Sequence, residues 1–164
     1  MKKFKRIFES ERIDFVELSQ DLIDDYLKMV NDPEVASKIR REPIYFSHDD
    51  EIKWIEGKLA EKANIYSMIE KESGDYIGNT GFVKIDGEEV EIGIAITPKK
   101  QNLHFGTEAL KALIEFGENN LGLKSFNLNV FDENARAIHC YEKVGFVKSG
   151  TGEHEHDIHM IYKK

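Results

Sequence analysis

The run VEIGIAIT, Val90 to Thr97, puts Glu91, Gly93, Ala95 and Thr97 on one side of a strand, because successive strand side chains alternate between faces. A carboxylate followed by two very small residues leaves a shallow trough beside Glu91. There the carboxylate could act as a base toward a ligand lying along that face. An ordinary solvated strand face has the same pattern. Downstream, TPKKQNLHFGTEALKALIEFG passes through a turn, Gln101 to Gly106, into a helix expected to start near Thr107. Unpaired N–H groups and the helix dipole make such a start an anion site, and Gly106 would let the main chain approach a phosphate closely. A plain strand-to-helix connector is the other reading, since phosphate loops usually carry more glycine. Asn134 and Tyr141 are seven residues apart, close to two helical turns, so their side chains face the same way. An aromatic at that spacing suits a core as well as a catalytic site, and an Asn there suits a helix cap as well as a ligand.

These residues need elements to hold them. Arg12 to Leu18, RIDFVEL, reads as a strand. SQDLIDDYLKMVND follows, with Leu22, Ile23, Tyr26, Leu27 and Val30 at helical spacing, and Pro33 ends or restarts that helix. SHDDEIKWIEGKLAEK opens with a capping-box match from Ser47 to Asp50 and carries an apolar stripe of Ile52, Ile55 and Leu59 with Trp54 beside it. NIYSMIEK, YIGNTGFVKI and VEIGIAIT form a three-strand antiparallel meander punctuated by ESGD and DGEE. A helix from about Gly106 to Asn119, the strand LKSFNLNVF, the short helix DENARAIHCYEKVG stopped by Gly145, and a closing strand pair, FVKSG and HDIHMIY, complete the chain. The order predicts a mixed α/β layer protein, not a doubly wound one.

The 164 residues suit one domain spanning 1–164, and 40% hydrophobic with 33% charged residues is ordinary for a soluble globular chain. A formal net charge of −8 argues against nucleic acid as a partner; by field alone it mildly favours cationic or amine-bearing ones, but an acidic balance also serves simply to keep a protein soluble, the stronger of the two readings. No apolar run has the length of a membrane helix, the N-terminal stretch does not read as a signal peptide, and the lone Cys140 rules out an internal disulfide framework. A cytoplasmic protein with no membrane partner is expected.

Taken jointly, strand EIGIAITP, turn QNLHFG, helix TEALKALIEFG and the ending from Asn134 to Phe146, NARAIHCYEKVGF, resemble the GNAT superfamily of N-acetyltransferases over essentially the whole chain. NDPEV, Asn31 to Val35, is similar to the branch that includes ribosomal-protein N-terminal and spermidine acetyltransferases. The resemblance implies the acyl-CoA N-acyltransferase fold, a central, mostly antiparallel twisted sheet with helices on both faces. It implies acetyl-CoA as co-substrate, no metal, and direct transfer to a primary amine: a polyamine, an aminoglycoside-like molecule or a protein N-terminus. The backbone of Ile94, Ala95 and Ile96 would bind the pantetheine arm. Gln101, Asn102, Leu103, His104, Phe105, Gly106 and Thr107 would wrap the pyrophosphate. Asn134 would contact the cofactor near its thiol, Tyr141 would protonate the leaving thiolate, and Glu91 would deprotonate the amine, directly or through water. The first two helices and the loop Arg40 to Asp49 would wall the acceptor. Relatives are often dimers, and no apolar stripe marks an interface here.

His104 departs from the family pattern, which has glycine at that position of the turn. If the position needs positive φ, His is tolerated there better than most residues. Cys140 has no partner His at useful spacing, Trp54 reads as a core or cleft-wall residue, and Glu153, His154, Glu155, His156 and His159 read as a surface hairpin, not a ligand set. A GNAT-fold module that only binds coenzyme A or a protein is the competing class.

Overall fold

A computed structural model describes residues 4–39, 45–87, 89–152 and 156–163, and the side chains of 37–39 lie outside that description. Part of the expected acceptor loop (Arg40 to Ile44), Glu88 of the DGEE turn and the Glu153–His154–Glu155 stretch therefore fall outside it. Among the described residues, eight strands hydrogen-bond in the order β1-β2-β3-β4-β5-β6-β8-β7. Their bounds are β1 Arg6–Glu9, β2 Ile13–Glu17, β3 Asn64–Glu70, β4 Tyr76–Asp86, β5 Glu89–Ile96, β6 Ser125–Phe131, β7 Phe146–Thr151 and β8 Asp157–Tyr162. The helices are α1 Ile23–Val30, α2 Pro33–Ile39, α3 His48–Ala60, α4 Phe105–Leu121 and α5 Ala135–Val144. The chain divides into two compact units, Met1–Gly81 with Ile94–Phe105, and Phe82–Gly93 with Gly106–Lys164.

In the first unit β1, β2 and β3 are joined by antiparallel pairs, Phe8 opposite Phe15 and Ile13 opposite Glu70. β1 was not expected. Its burial does not alternate, Ile7 and Phe8 being half-buried between exposed ends, and pairing defines it: Phe8 stacks on Phe15 with ring centroids 4.2 Å apart. Pro33 restarts a helix instead of ending one, with Asp32 Oδ1 accepting from the N–H groups of Glu34 and Val35. The Ser47–Asp50 capping box forms in full, each side chain accepting from the other residue's backbone N–H. Ile55 is fully buried against Tyr26, Met29 and Tyr76. Leu59, expected on the same stripe, is exposed, and Glu51 is carried inward instead. Trp54 meets Tyr26 edge-on at 6.4 Å, as a core-wall residue would. The Tyr26 hydroxyl closes a buried polar chain through Ser67 Oγ at 2.5 Å to Asn79, which satisfies groups that burial would otherwise penalise.

In the second unit β5 runs parallel to β6, with Val90 opposite Phe126 and Glu91 opposite Asn127, while β8 lies antiparallel between β6 and β7. Ala109, Leu110, Leu113 and Ile114 of α4 and Phe126, Leu128 and Val130 of β6 are buried, as their periods require. α5 stops at Gly145, whose φ of 126° lets its N–H turn back to the Tyr141 and Glu142 carbonyls at 3.1 and 3.2 Å. Among the described residues no helix is long and apolar enough to cross a membrane.

Candidate functional site

The first unit carries Ile94, Ala95, Ile96 and the turn Gln101 to Phe105. Burial along β5 alternates only at its start. Val90 and Ile92 are 1% and 4% exposed, whereas Gly93 to Ile96 are all half-buried and Ala95 packs on the α1–α3 core cluster. The strand there runs close to its neighbour: a Cβ on Gly78 would lie 2.0 Å from the Ala95 carbonyl oxygen. The Ile96 carbonyl already accepts from Gln101 Nε2 at 2.9 Å, and the Gln101 N–H donates to the Pro98 carbonyl at 3.3 Å, so Gln101 closes the turn from both its side chain and its main chain.

Past a 3-10 turn, Pro98–Lys100, Asn102 and His104 adopt φ of 62° and 66°, with Leu103 between them and α4 starting directly afterwards at Phe105. The helix begins two residues earlier than its sequence suggests. Left-handed residues near a helix start fold the main chain into a concave nest of N–H groups suited to anions. The first α4 N–H groups, from Phe105, Gly106 and Thr107, have no partner within their own helix. The condition attached to His104 is therefore met, and glycine's place in the family pattern has its physical reason. Left-handed backbone costs a non-glycine residue roughly 1–2 kcal/mol, offset by the extra chain entropy that glycine loses on folding. His104→Gly should raise the melting temperature by about 2 °C in thermal denaturation. A lower melting temperature would show that the imidazole contributes more than its strain costs.

The second unit carries Glu91, Gly106, Thr107, Asn134 and Tyr141. Asn134 is the N-cap of α5, its side chain accepting from the Ala137 N–H at 3.3 Å, so the capping alternative for this residue is realised. That use occupies Oδ1 and leaves the amide nitrogen as a donor. Thr107 Oγ1 lies 3.5 Å from Cys140 Sγ and ties the first turn of α4 to α5, which gives Cys140 a packing role. Tyr141 is half-buried and meets Phe146 edge-on at 6.2 Å. Desolvation is the main force holding its phenol well above the ordinary range; Cys140 adds to the rise and the Arg136 charge opposes it. The group keeps its proton throughout the neutral range, as an acid or hydrogen-bond donor must.

Half-buried Glu91 lines a cavity of about 390 Å³ within the second unit. Asp86, Glu89, Asn127, Asn129 and His159 share that lining. Asn129 Oδ1 is buried with no hydrogen-bond partner among the described residues. His159 sits on β8 of the closing β7–β8 hairpin with Nδ1 2.6 Å from Ser149 Oγ. His156 instead pairs with Asp132 at 3.4 Å. The sequence reading missed Asn127, Asn129 and His159. Asn127 and Asn129 alternate with Phe126, Leu128 and Val130, which marks them as the polar face of a strand, but only the β5–β6 and β6–β8 registers bring them to Glu91.

A sequence profile for the family described as "Acetyltransferase (GNAT) domain" matches residues 12–147. An uncharacterized N-acetyltransferase, p20, of Bacillus licheniformis is 34% identical over 94 residues, 56% of this chain and 53% of that protein, so the match spans about half of that relative. The spermidine N(1)-acetyltransferase of Escherichia coli strain K12 is 28% identical over 125 residues, 67% of each chain. In fold, the chain is similar to spermidine N-acetyltransferase from Vibrio cholerae, solved in complex with CoA and spermine. The TM-score is 0.82 at 21% identity, with 93% of this chain and 95% of that one covered.

Proposed function

The chain belongs to the GNAT acetyltransferase family, and from that premise we propose that it moves an acetyl group from acetyl-CoA directly onto a primary amine, as one catalytic domain. The observation that carries the reading is the turn at Asn102 and His104. Two left-handed non-glycine residues immediately before a 17-residue helix carry a backbone cost, and an anion held in the nest they form gives that cost a use. A diphosphate is the ligand such a nest suits.

In this reading the N–H groups of Asn102 to Thr107 bind the pyrophosphate, with the Gln101 N–H held by the Pro98 carbonyl, and the backbone of Ile94, Ala95 and Ile96 takes the pantetheine arm as an added strand. The Ile96 carbonyl, already engaged by Gln101, contributes least. Asn134 donates from its side-chain amide to the cofactor near its sulfur. Glu91 removes a proton from the ammonium group, directly or through water, and the freed nitrogen attacks the thioester carbonyl carbon. The tetrahedral oxyanion is stabilised by backbone N–H groups of β5. As the C–S bond breaks, the thiolate takes the Tyr141 hydroxyl proton, the nitrogen's second proton restores the phenol, and Glu91 passes the first to solvent. The products are the acetamide, free coenzyme A and one proton released to solvent.

The cavity beside Glu91 takes the acceptor. With Asp86, Glu89 and Glu91 outweighing Lys84 in its wall, its field favours an amine that carries further positive charge over a neutral one. Polyamines fit that description, and the relatives named for spermidine support them as the first acceptors to try. The proposed compartment is the cytoplasm.

Titration calorimetry with acetyl-CoA, coenzyme A and dephospho-coenzyme A tests the reading, followed by thiol release with spermidine, spermine and N-terminal peptides. Acetyl-CoA should bind with a Kd of about 1–100 μM, which corresponds to roughly −8 to −5.5 kcal/mol. Absence of binding at millimolar ligand would remove the proposal.

A further inference from the structure

Arg12 lies 91 residues from the phosphate turn in sequence, yet both nitrogens of its guanidinium fork, Nη1 and Nη2, donate to the Leu103 carbonyl at 3.2 Å. The guanidinium carbon also stands 4.2 Å from the centroid of the Phe105 ring, which is 2% exposed. Arg12 itself is half-buried where the chain turns from β1 into β2, a turn held by the Ser10 N–H to Ile13 carbonyl bond of 2.9 Å. All of these residues belong to the first unit.

The geometry has a directional consequence. In a trans peptide the carbonyl of one residue and the N–H of the next point in opposite directions within one plane. Gripping the Leu103 carbonyl from one side therefore fixes where the His104 N–H points on the other. A cation on the carbonyl also polarises that peptide and strengthens its N–H as a donor. The gripped peptide is the one that enters His104, left-handed at φ 66°, next to left-handed Asn102. Other tethers hold the turn further upstream: Gln101 Nε2 on the Ile96 carbonyl, and Lys100 Nζ on Glu70 and Asp75 at 2.8 and 3.0 Å. Arg12 is the tether that acts on the left-handed segment itself.

We infer that Arg12 is a positioning residue for the diphosphate of acetyl-CoA: by gripping the Leu103 carbonyl and covering Phe105, it aims the His104 N–H at the ligand. The inference rests on the proposed function. Neither a shorter side chain nor a lysine replaces it, because an ammonium is a point donor that cannot fork onto one carbonyl while lying flat on a ring.

The test compares wild type, Arg12→Ala and Arg12→Lys by acetyl-CoA calorimetry, by steady-state kinetics with each substrate varied in turn, and by the 15N–1H resonance of the His104 amide without ligand. Both variants should weaken acetyl-CoA binding by roughly tenfold and raise its KM to match, the scale of losing a hydrogen bond to a charged group. The KM for the amine and the kcat at saturating acetyl-CoA should stay within about twofold, since a merely structural loss would lower kcat with falling folded fraction and leave KM alone. The His104 amide resonance should move in both variants. Arg12→Lys keeps the charge and most of the stem, so it keeps the test valid if the alanine variant does not fold. An acetyl-CoA Kd within twofold of wild type in the lysine variant, or an unmoved His104 resonance, overturns the inference. Failure of the wild type itself to bind acetyl-CoA is a separate result, seen before any variant is made, and removes the functional reading together with this one.

Discussion

Tyr141→Phe should cut kcat by about 10²-fold, the lower end of what a positioned proton donor contributes, while the KM for acetyl-CoA changes little. The substitution removes one oxygen and keeps the ring, so the edge contact with Phe146 at 6.2 Å survives and the melting temperature should hold. The pH dependence carries the stronger signature. Burial raises the Tyr141 phenol above its ordinary value near 10, so in the folded protein the proton stays on beyond the pH at which a solvated tyrosine loses it. For an acid the active form is the protonated one, present below its pKa. The wild-type kcat should therefore stay level from pH 7.5 to about 9.5, with no descending limb from this group. A kcat that falls with an apparent pKa near 8, or a phenylalanine variant at full activity, would show that the thiolate leaves without help from Tyr141.

Glu91→Gln has the other large expected effect, a loss of about 10²-fold in kcat/KM for the amine at pH 7, equivalent to about 2.7 kcal/mol of transition-state stabilisation. Glutamine preserves the volume of the side chain and its place opposite Asn127 in the β5–β6 register, so folding should be unaffected. The sign of the pH response follows from the chemistry. An alkyl ammonium with a pKa near 10.4 must lose a proton before its nitrogen can attack. A variant with no base depends on solvent to do this, so its activity should climb roughly tenfold per pH unit between 7 and 9, and the deficit against wild type should shrink over that range. A deficit constant across pH would assign Glu91 to binding the cation in the cavity it lines with Asp86 and Glu89, instead of to proton transfer.

Much of this site is legible in the chain. The capping box at Ser47 and Asp50, the stop at Gly145 and the alternation of Phe126, Leu128 and Val130 each depend on residues a few positions apart, and each appears where local chemistry places it. At His104 positive φ entered only as a condition set by the resemblance, and the backbone there is left-handed, at φ 66°. Two readings left open locally resolved differently. Asn134 caps its helix, while Glu91 lines a cavity with Glu89 and Val90 of its own strand; the trough expected along Gly93, Ala95 and Thr97 is not part of that lining, and the Val83 side chain covers Gly93.

By itself the sequence determined most of the strands and helices, because period, caps and turn chemistry act over one or two helical turns, and its motifs carried the resemblance to the family. Tertiary structure alone decided that β1 exists as a partner for β2, that Asn127, Asn129 and His159 join Glu91 around one cavity, and that Arg12 grips the Leu103 carbonyl. These depend on strand register and on contacts between residues tens of positions apart. No spacing along the chain encodes such contacts, because a one-residue slip in register would send each strand side chain to the opposite face.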